Sequence, residues 1–216
     1  MKTTIIIPTR NEEKGIGNVI DEIRTLRKNY EILVVDKSED NTSKIAKKHG
    51  ARVIIQKDKG KGNAMKLGVK KAKGDIVVFI DGDGTYPVKY IPEMIKLMKK
   101  YDFVRGSRFK YLKNSGWSHL IGNTLFSLIA TLLHGKTSDL LTGLYCLRKK
   151  DFEKMNLKSH GFEIETEIFI KSQKMKLKTK EIFIEYKERV GQAKLNTLKD
   201  GFRILKTLVK GIYWKV

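Results

Sequence analysis

The sequence predicts an α/β fold with a mostly parallel central sheet flanked by helices, and three observations predict it. Short β-rich runs alternate with amphipathic stretches through the first half of the chain. The runs are continuously apolar, as strands covered on both faces are. Polar clusters follow them: "PTRNEE" after the first, "DKSEDNT" after the second and "DGDGTYP" after the fourth. Ligands of open parallel sheets bind outside the carboxyl ends of the strands.

The elements follow in order. Ile5–Ile7, Ile32–Val35, Val53–Ile55, Ile76–Ile80 and Phe103–Val104 read as strands, with amphipathic segments between the first four. "SHLIGNTLFSLIATLLHG" (118–135) predicts a broad apolar helix. It is too short and interrupted to span a bilayer, which takes roughly 20 apolar residues, and its plain reading is a core helix. "GLYCLRK" and "TKEIFIEYKER" predict strands, with a helix from about Phe162 to Lys176 between them. "LNTLKDGFRILKTLVKGIYWKV" closes the sequence as an amphipathic helix. Its apolar stripe is Leu198, Phe202, Leu205, Val209 and Ile212, and Lys199, Arg203, Lys206 and Lys210 follow one residue later. Tyr213 and Trp214 come after, rings suited to the headgroup level of a bilayer. That helix either packs its stripe on the domain or lies on a membrane surface. The expected division is a domain over 1–195 and a basic helix over 196–216.

Composition narrows the class. The 216 residues suffice for one buried core, and the single Cys146 excludes an internal disulfide and any cysteine zinc cluster. His49, His119, His134 and His160 show no metal-site spacing. No leader pattern precedes "TTIIIPT", so no signal peptide is expected and a reducing, cytoplasmic setting is. Forty-five Lys and Arg against 24 Asp and Glu give a net charge of +21. That excess suits an anionic partner (nucleic acid, an acidic membrane surface or phosphorylated small molecules), or a solvated lysine-rich face with no partner.

Two nucleotide-binding loops are excluded. "KDKGKGNA" (57–64) lacks the Walker spacing and the Ser/Thr after its lysine, and the first strand does not lead into G-x-G-x-x-G. The Asp-Gly-Asp of "FIDGDGTYP" carries more. Asp81 and Asp83 follow a buried strand, and carboxylates so close in a partly buried loop call for positive charge between them. Carboxylate oxygens at this place fit Mg²⁺ or Mn²⁺ bridging to a substrate diphosphate.

Eight segments occur in order: "IIIPTRNEE", "ILVVDKSEDNT", "KGKGNA", "VVFIDGDGTYP", "VRGSRF", "DLLTGLYCLRK", "GFEIETEI" and "ERVGQAKL". Together they resemble the inverting family 2 glycosyltransferases of GT-A fold (nucleotide-diphospho-sugar transferases), most closely the dolichyl-phosphate mannose or glucose synthases, over about residues 3–195. The resemblance implies a metal-dependent hexosyl transfer from GDP-mannose or UDP-glucose to a polyprenyl phosphate, catalysed peripherally at the cytoplasmic face of the cell membrane. It implies that Pro8, Asn11 and Glu12 border the nucleotide, that Asp36 reads its base, and that Lys61 lies near the nucleotide or its diphosphate. Asp81 and Asp83 would hold Mg²⁺ or Mn²⁺, and Arg108 would stand at the reacting phosphates. Arg189 and Lys194 would come from a segment closing over the donor, and Glu165 would take the place of a frequent family acid.

The sequence also departs from the pattern. Lys37 stands where a second acid is frequent, Thr85 where some relatives place a glutamine ligand, and Ala193 where many have serine. Many relatives add transmembrane helices after this domain; none is expected within this sequence. Glu163, Glu165 and Glu167 share i,i+2 spacing, which does not put all three on one helical face, so a solvated charge is the plain alternative for Glu165. A hydroxyl acceptor remains open within the class. A nucleic-acid-binding protein is suggested by charge alone, without an RNP, KH, zinc-finger or helix-turn-helix signature, and no nucleic-acid partner is expected.

Overall fold

The computed structural model describes residues 1–108, 117–187, 189, 194 and 196–215, with backbone alone for 117–121. The "GSRF" phenylalanine and most of "ERVGQAKL", including Ala193, lie outside the described residues.

The strands are β1 (Thr3–Thr9), β2 (Glu31–Asp36), β3 (Arg52–Ile55), β4 (Ile76–Phe79), β5 (Phe103–Ser107), β6 (Tyr145–Arg148) and β7 (Thr179–Phe183). They form one seven-stranded sheet in the order β3-β2-β1-β4-β6-β5-β7. β6 runs antiparallel to both its neighbours, and every other pairing is parallel. Helices α1 (Ile16–Thr25), α2 (Thr42–Lys48), α3 (Lys61–Lys71) and α4 (Ile91–Leu97) occur in the first half. The second half adds α5 (Trp117–His134), α6 (Lys149–Lys154), α7 (Ile164–Lys174) and α8 (Thr197–Gly211).

Alternation along β1 makes two cores. Ile5 and Ile7 point to one face, where Ile16, Val19, Ile20 and Ile23 of α1 meet them at helical spacing. Ile6 points to the other, onto Ala64, Met65 and Val69 of α3. A third cluster joins the later helices: Ala130 of α5, Phe169 and Ile170 of α7, Ile204 and Leu208 of α8.

Four expectations change. The helix expected over 162–176 is the shorter α7, started by Glu163, whose Oε1 accepts from the His160 and Gly161 amides. The strand expected through Arg189 leaves the sheet after Phe183, and Lys187 N then donates to Thr85 O (2.9 Å) beside the Asp-Gly-Asp turn. α5 is a core helix on one side only; Asn123, Ser127 and Ala130 are buried, whereas Leu125, Leu128 and Leu132 face out. In α8 the predicted stripe faces away from the domain. Ile204 and Leu208 anchor the helix, and Trp214 packs on the third cluster instead of facing out with Tyr213. Asn196 accepts from Lys199 N (2.9 Å) while Asp200 accepts from Asn196 N (2.8 Å), a reciprocal cap that fixes where α8 begins.

Candidate active site

The carboxyl ends of β1 and β4 and the start of α3 open onto a cavity of about 330 Å³. β4 delivers Asp81 and Asp83 to it. Asp83 is almost wholly buried, and its Oδ1 accepts from the Thr85 amide (3.0 Å) and hydroxyl (2.7 Å). Thr85 therefore braces Asp83 from behind. Asp81 lies against Gly143 at the entrance to β6, where a Cβ would collide with its carboxylate. Only glycine allows that approach.

The positive charge called for between these acids includes side chains of the chain itself. Lys61, the first residue of α3, puts Nζ 2.7 Å from Asp81 Oδ1 and 2.7 Å from Glu165 Oε1. Arg189 Nη1 lies 2.7 Å from Asp83 Oδ2. Lys194 pairs with Glu12 and donates to Asn11 O (2.8 Å). Burial alone would lower Lys61, but Asp81 and Glu165 outweigh it and hold the ammonium well above an ordinary lysine. Burial would raise Asp81, and Lys61, Arg189 and Arg108 hold it below the usual range instead. At Glu165 burial wins and pushes the carboxyl up to about 7, against the pull of Lys61. Burial likewise raises Glu12 despite Lys194.

The three glutamates of α7 divide their work. Glu165 faces the cavity. Glu167 turns inward, accepting from the Lys158 (3.0 Å) and Ser159 (2.7 Å) amides and pairing with Lys171 (2.9 Å). Glu163 closes the turn before the helix, as described. Since the 158–160 turn packs on the start of α3, Glu167 supports the place from which Lys61 reaches out.

Arg108 follows β5 and is locked in place. Its Nε and Nη2 donate to Asp139 (2.7 and 2.8 Å), its amide donates to Asp139 Oδ2 (2.9 Å), and Nη2 also meets Leu141 O (2.9 Å). The guanidinium carbon lies 5.7 Å from the Tyr86 ring centre and 5.2 Å from that of Tyr186. Burial would lower Arg108, yet Asp139 holds it well above an ordinary arginine. Asn123 of α5 donates to the same carboxylate (2.9 Å). Buried Arg105 braces the loop with bonds to Thr137 Oγ1 (2.8 Å) and Asp139 O (2.6 Å).

Of the predicted residues, Pro8, Glu12, Lys61, Asp81, Asp83, Arg108, Glu165, Arg189 and Lys194 line the cavity together. Asn11 and Asp36 do not. Asn11 adopts a left-handed φ of 53° and ties two loops, its amide donating to Ser38 Oγ (2.7 Å) and its Oδ1 accepting from Glu39 N (2.9 Å). Asp36 is buried and occupied by three hydroxyls, those of Thr9 (2.7 Å), Ser38 and Ser43. Three donors leave about one of its acceptor sites for a base. Asp139, Tyr86 and Asn123 were missed as individual residues. "DLLTG" holds Asp139, but only the fold shows that it pairs with Arg108, 31 residues earlier.

Asp81 and Asp83 offer hard oxygen donors suited to Mg²⁺ or Mn²⁺. No cluster of three or more His, Cys, Asp or Glu able to hold a metal occurs among the described residues. Two protein carboxylates completed by diphosphate oxygens is a usual way of holding such an ion beside a phosphorylated substrate, so these residues fit it.

The profile of glycosyl transferase family 2 matches residues 4–186. A dolichyl-phosphate hexose transferase of Haloferax volcanii is 33% identical over 210 residues, covering 95% of this chain and 92% of the relative. A dolichol-phosphate mannosyltransferase of Pyrococcus furiosus is 32% identical over 230 residues, covering 100% of this chain and 65% of that protein. Glucosyl-3-phosphoglycerate synthase of Mycobacterium tuberculosis, crystallised with Mn²⁺, UDP and phosphoglyceric acid, matches with a TM-score of 0.79 at 22% identity, over 100% of this chain and 80% of that one. A likeness at that identity speaks for the fold. The chain is a glycosyltransferase of GT-A fold and belongs to glycosyl transferase family 2.

Proposed function

We propose that the protein transfers a hexose from GDP-mannose or UDP-glucose to a polyprenyl (dolichyl) phosphate at the cytoplasmic face of the cell membrane, inverting the anomeric carbon. The observation that carries this reading is the mixed lining of the cavity. Lys61, Arg189 and Lys194 stand among its acids, a setting for a nucleoside diphosphate. Phe126, Leu141, Phe162 and Ile204 add apolar wall to the same cavity, a setting for an acceptor with an apolar chain. The names of the two sequence relatives support the lipid-phosphate acceptor. Residues 1–195 would then carry the transfer chemistry, with 196–216 serving the approach to the surface, although Thr197, Gly201 and Ile204 also wall the cavity.

Asp81 and Asp83 would hold Mg²⁺ or Mn²⁺, which when bound neutralises charge on the departing nucleoside diphosphate. Arg189 and Lys194, now on Asp83 and Glu12, lie within the cavity and would exchange those carboxylates for phosphate oxygens. Lys61 stays between Asp81 and Glu165 and keeps Asp81 ionised. Arg108, which its neighbours prevent from swinging, offers fixed positive charge to the reacting phosphates. A phosphate monoester with a second pKa near ~6 is largely dianionic at pH 7, so its oxygen attacks without a base. Glu165 then orients Lys61.

A second reading is favoured by Glu165 itself. A carboxyl pushed up to about 7 suits a general base, and a hydroxyl acceptor would need one. Thermal shift with GDP-mannose, UDP-glucose, UDP-GlcNAc, GDP and UDP, each with and without Mn²⁺, should identify the donor. A ligand at about 100 times its Kd adds roughly 2.7 kcal/mol. Labelled hexose from that donor should then pass to polyprenyl phosphate. Asp83→Ala or EDTA should cut the rate by about 10²–10³-fold or more without unfolding the protein. Full activity in EDTA would reject the metal, and transfer to hydroxyl acceptors alone would reject the lipid phosphate.

A further inference from the structure

The cations beside the strand-end acids are held unequally. Lys61 lies between two carboxylates, Asp81 and Glu165, and its side chain is 13% exposed. Lys194 adds a backbone carbonyl to its carboxylate, Asn11 O to Glu12. Arg189 meets one carboxylate, that of Asp83, and its side chain is 32% exposed. Arg189 is therefore the cation most easily drawn away.

Asp83 divides its two oxygens. Oδ1 accepts from the Thr85 amide (3.0 Å) and hydroxyl (2.7 Å), which take both of its lone-pair directions. Oδ2 faces Arg189 Nη1 at 2.7 Å. The place of Arg189 is prepared as well. Lys187 N donates to Thr85 O (2.9 Å), so the residue that braces Asp83 also anchors the stretch that brings Arg189.

A divalent ion on Asp83 needs Oδ2, the oxygen that Arg189 holds. With a metal–oxygen bond of about 2.1 Å, ion and guanidinium nitrogen would stand less than about 5 Å apart, like charges around one oxygen. The two compete. A nucleoside diphosphate acts from the other side, since its oxygens attract Arg189. Drawing Arg189 away without replacement would leave the carboxylate of Asp83 buried and unpaired, a costly state. Ion and diphosphate together relieve both costs, one taking Asp83 and the other the arginine.

We infer that Arg189 makes the site selective for a divalent ion together with a nucleoside diphosphate, against either one alone. The inference rests on the reading above, which gives the ion to Asp81 and Asp83 and the diphosphate to Arg189 and Lys194. Arg189 is the internal counter-ion of Asp83, and its exchange couples the two ligands through one side chain. By reciprocity each raises the affinity for the other by the same factor.

Two binding measurements on the 216-residue chain test this without turnover. Binding of Mn²⁺ alone is read from loss of the free-ion electron paramagnetic resonance signal. Binding of GDP and of UDP is read by calorimetry, in EDTA and in Mn²⁺. Arg189→Ala should bind Mn²⁺ alone about tenfold tighter or more than the parent, because no charge-assisted pair has to be broken. Arg189→Gln is neutral, can still bond to Asp83, and should shift in the same direction; it serves if melting shows that the alanine variant does not fold. Arg189→Lys keeps the charge and should stay close to the parent. Lys187→Ala removes a positive charge two residues earlier, where the side chain pairs with Glu22 (3.2 Å), and should leave Mn²⁺ affinity unchanged. Mn²⁺ should raise the affinity for the diphosphate more in the parent than in Arg189→Ala. Direct coordination of the ion by the diphosphate is common to both proteins, so the difference belongs to Arg189. Neutral variants that bind Mn²⁺ no tighter than the parent overturn the inference, as does equal coupling in the two proteins. So does Lys187→Ala tightening as much as Arg189→Ala, which would show a general effect of charge. In those three cases a parent that binds Mn²⁺ with the diphosphate keeps the metal reading. A parent that binds no Mn²⁺ with either diphosphate overturns that reading and the inference with it.

Discussion

Asp139 touches no part of the strand-end acids, yet it fixes the direction of Arg108. Its side chain is fully buried and accepts bonds from Arg108 and Asn123. Removing one member of such a pair costs about 3–5 kcal/mol, because the other charge is left buried alone. Asp139→Ala should therefore lower the urea midpoint strongly, and Asp139→Asn less, since an amide retains part of the bonding. A double-mutant cycle with Arg108→Ala should show coupling; additive effects would contradict the pairing. Glu165 makes a prediction of the opposite sign. Its carboxyl is raised from 4.5 to about 7, so the folded protein keeps a proton that the unfolded chain has released between those values. Stability should fall as pH rises through that window, by on the order of 3 kcal/mol. Glu165→Gln removes the slope and should melt above the parent at about pH 8, with the gap closing as pH falls. A parent protein whose melting temperature is flat across the window rejects the raised carboxyl. On polyprenyl phosphate the same variant should lose little rate, whereas on a hydroxyl acceptor the loss of a base costs about 10²–10⁴-fold.

Helix α3 presents Lys61 because it lies very close to the sheet. A Cβ at Gly68 would come within 2.6 Å of Ile6 Cγ2. Gly68→Val should cost about 1–3 kcal/mol and, by lifting the helix that begins at Lys61, weaken donor binding. Both are readable by thermal shift with and without donor; unchanged melting would show that the sheet yields there. The early elements were legible because each shows its burial in its composition. "TTIIIPT", "ILVV" and "IVVF" can only be interior strands, and the acids after them fall at the ligand-binding end. The later elements were less so. Nothing in "GLYCLRK" says that its strand enters between β4 and β5 in the reverse direction, since pairing partners are nonlocal. After Phe183 the described chain leaves the sheet, and Lys187 crosses to Thr85 instead of continuing it. In α8 the period was plain and its direction was not. An apolar stripe can pack inward or lie on a surface, and here Ile204 and Leu208 on the other side suffice to anchor the helix.

As a whole the protein is a sheet whose candidate site lies at the carboxyl ends of its inner strands, with residues of α5 and α8 walling the same cavity. Of these parts the reversed strand β6 has the widest effect. Because it runs against β4 and β5, the chain enters it at the end where those strands finish, so Gly143 arrives beside Asp81 and Asp139 beside Arg108. Tyr145 of β6 pairs with both Phe79 and Arg105, joining residues more than sixty positions apart in one direction and forty in the other. Contacts of such long sequence separation form slowly. During refolding from urea, the β3-β2-β1-β4 half should regain its far-UV signal while Arg108 still lacks Asp139 and Lys61 still lacks Glu165, and transferase activity should return later than secondary structure. Simultaneous recovery would mean that β6 docks as early as the rest. The reversed strand thus works as a clock as well as a scaffold: a chain emerging in order has finished half its sheet before it has an active site.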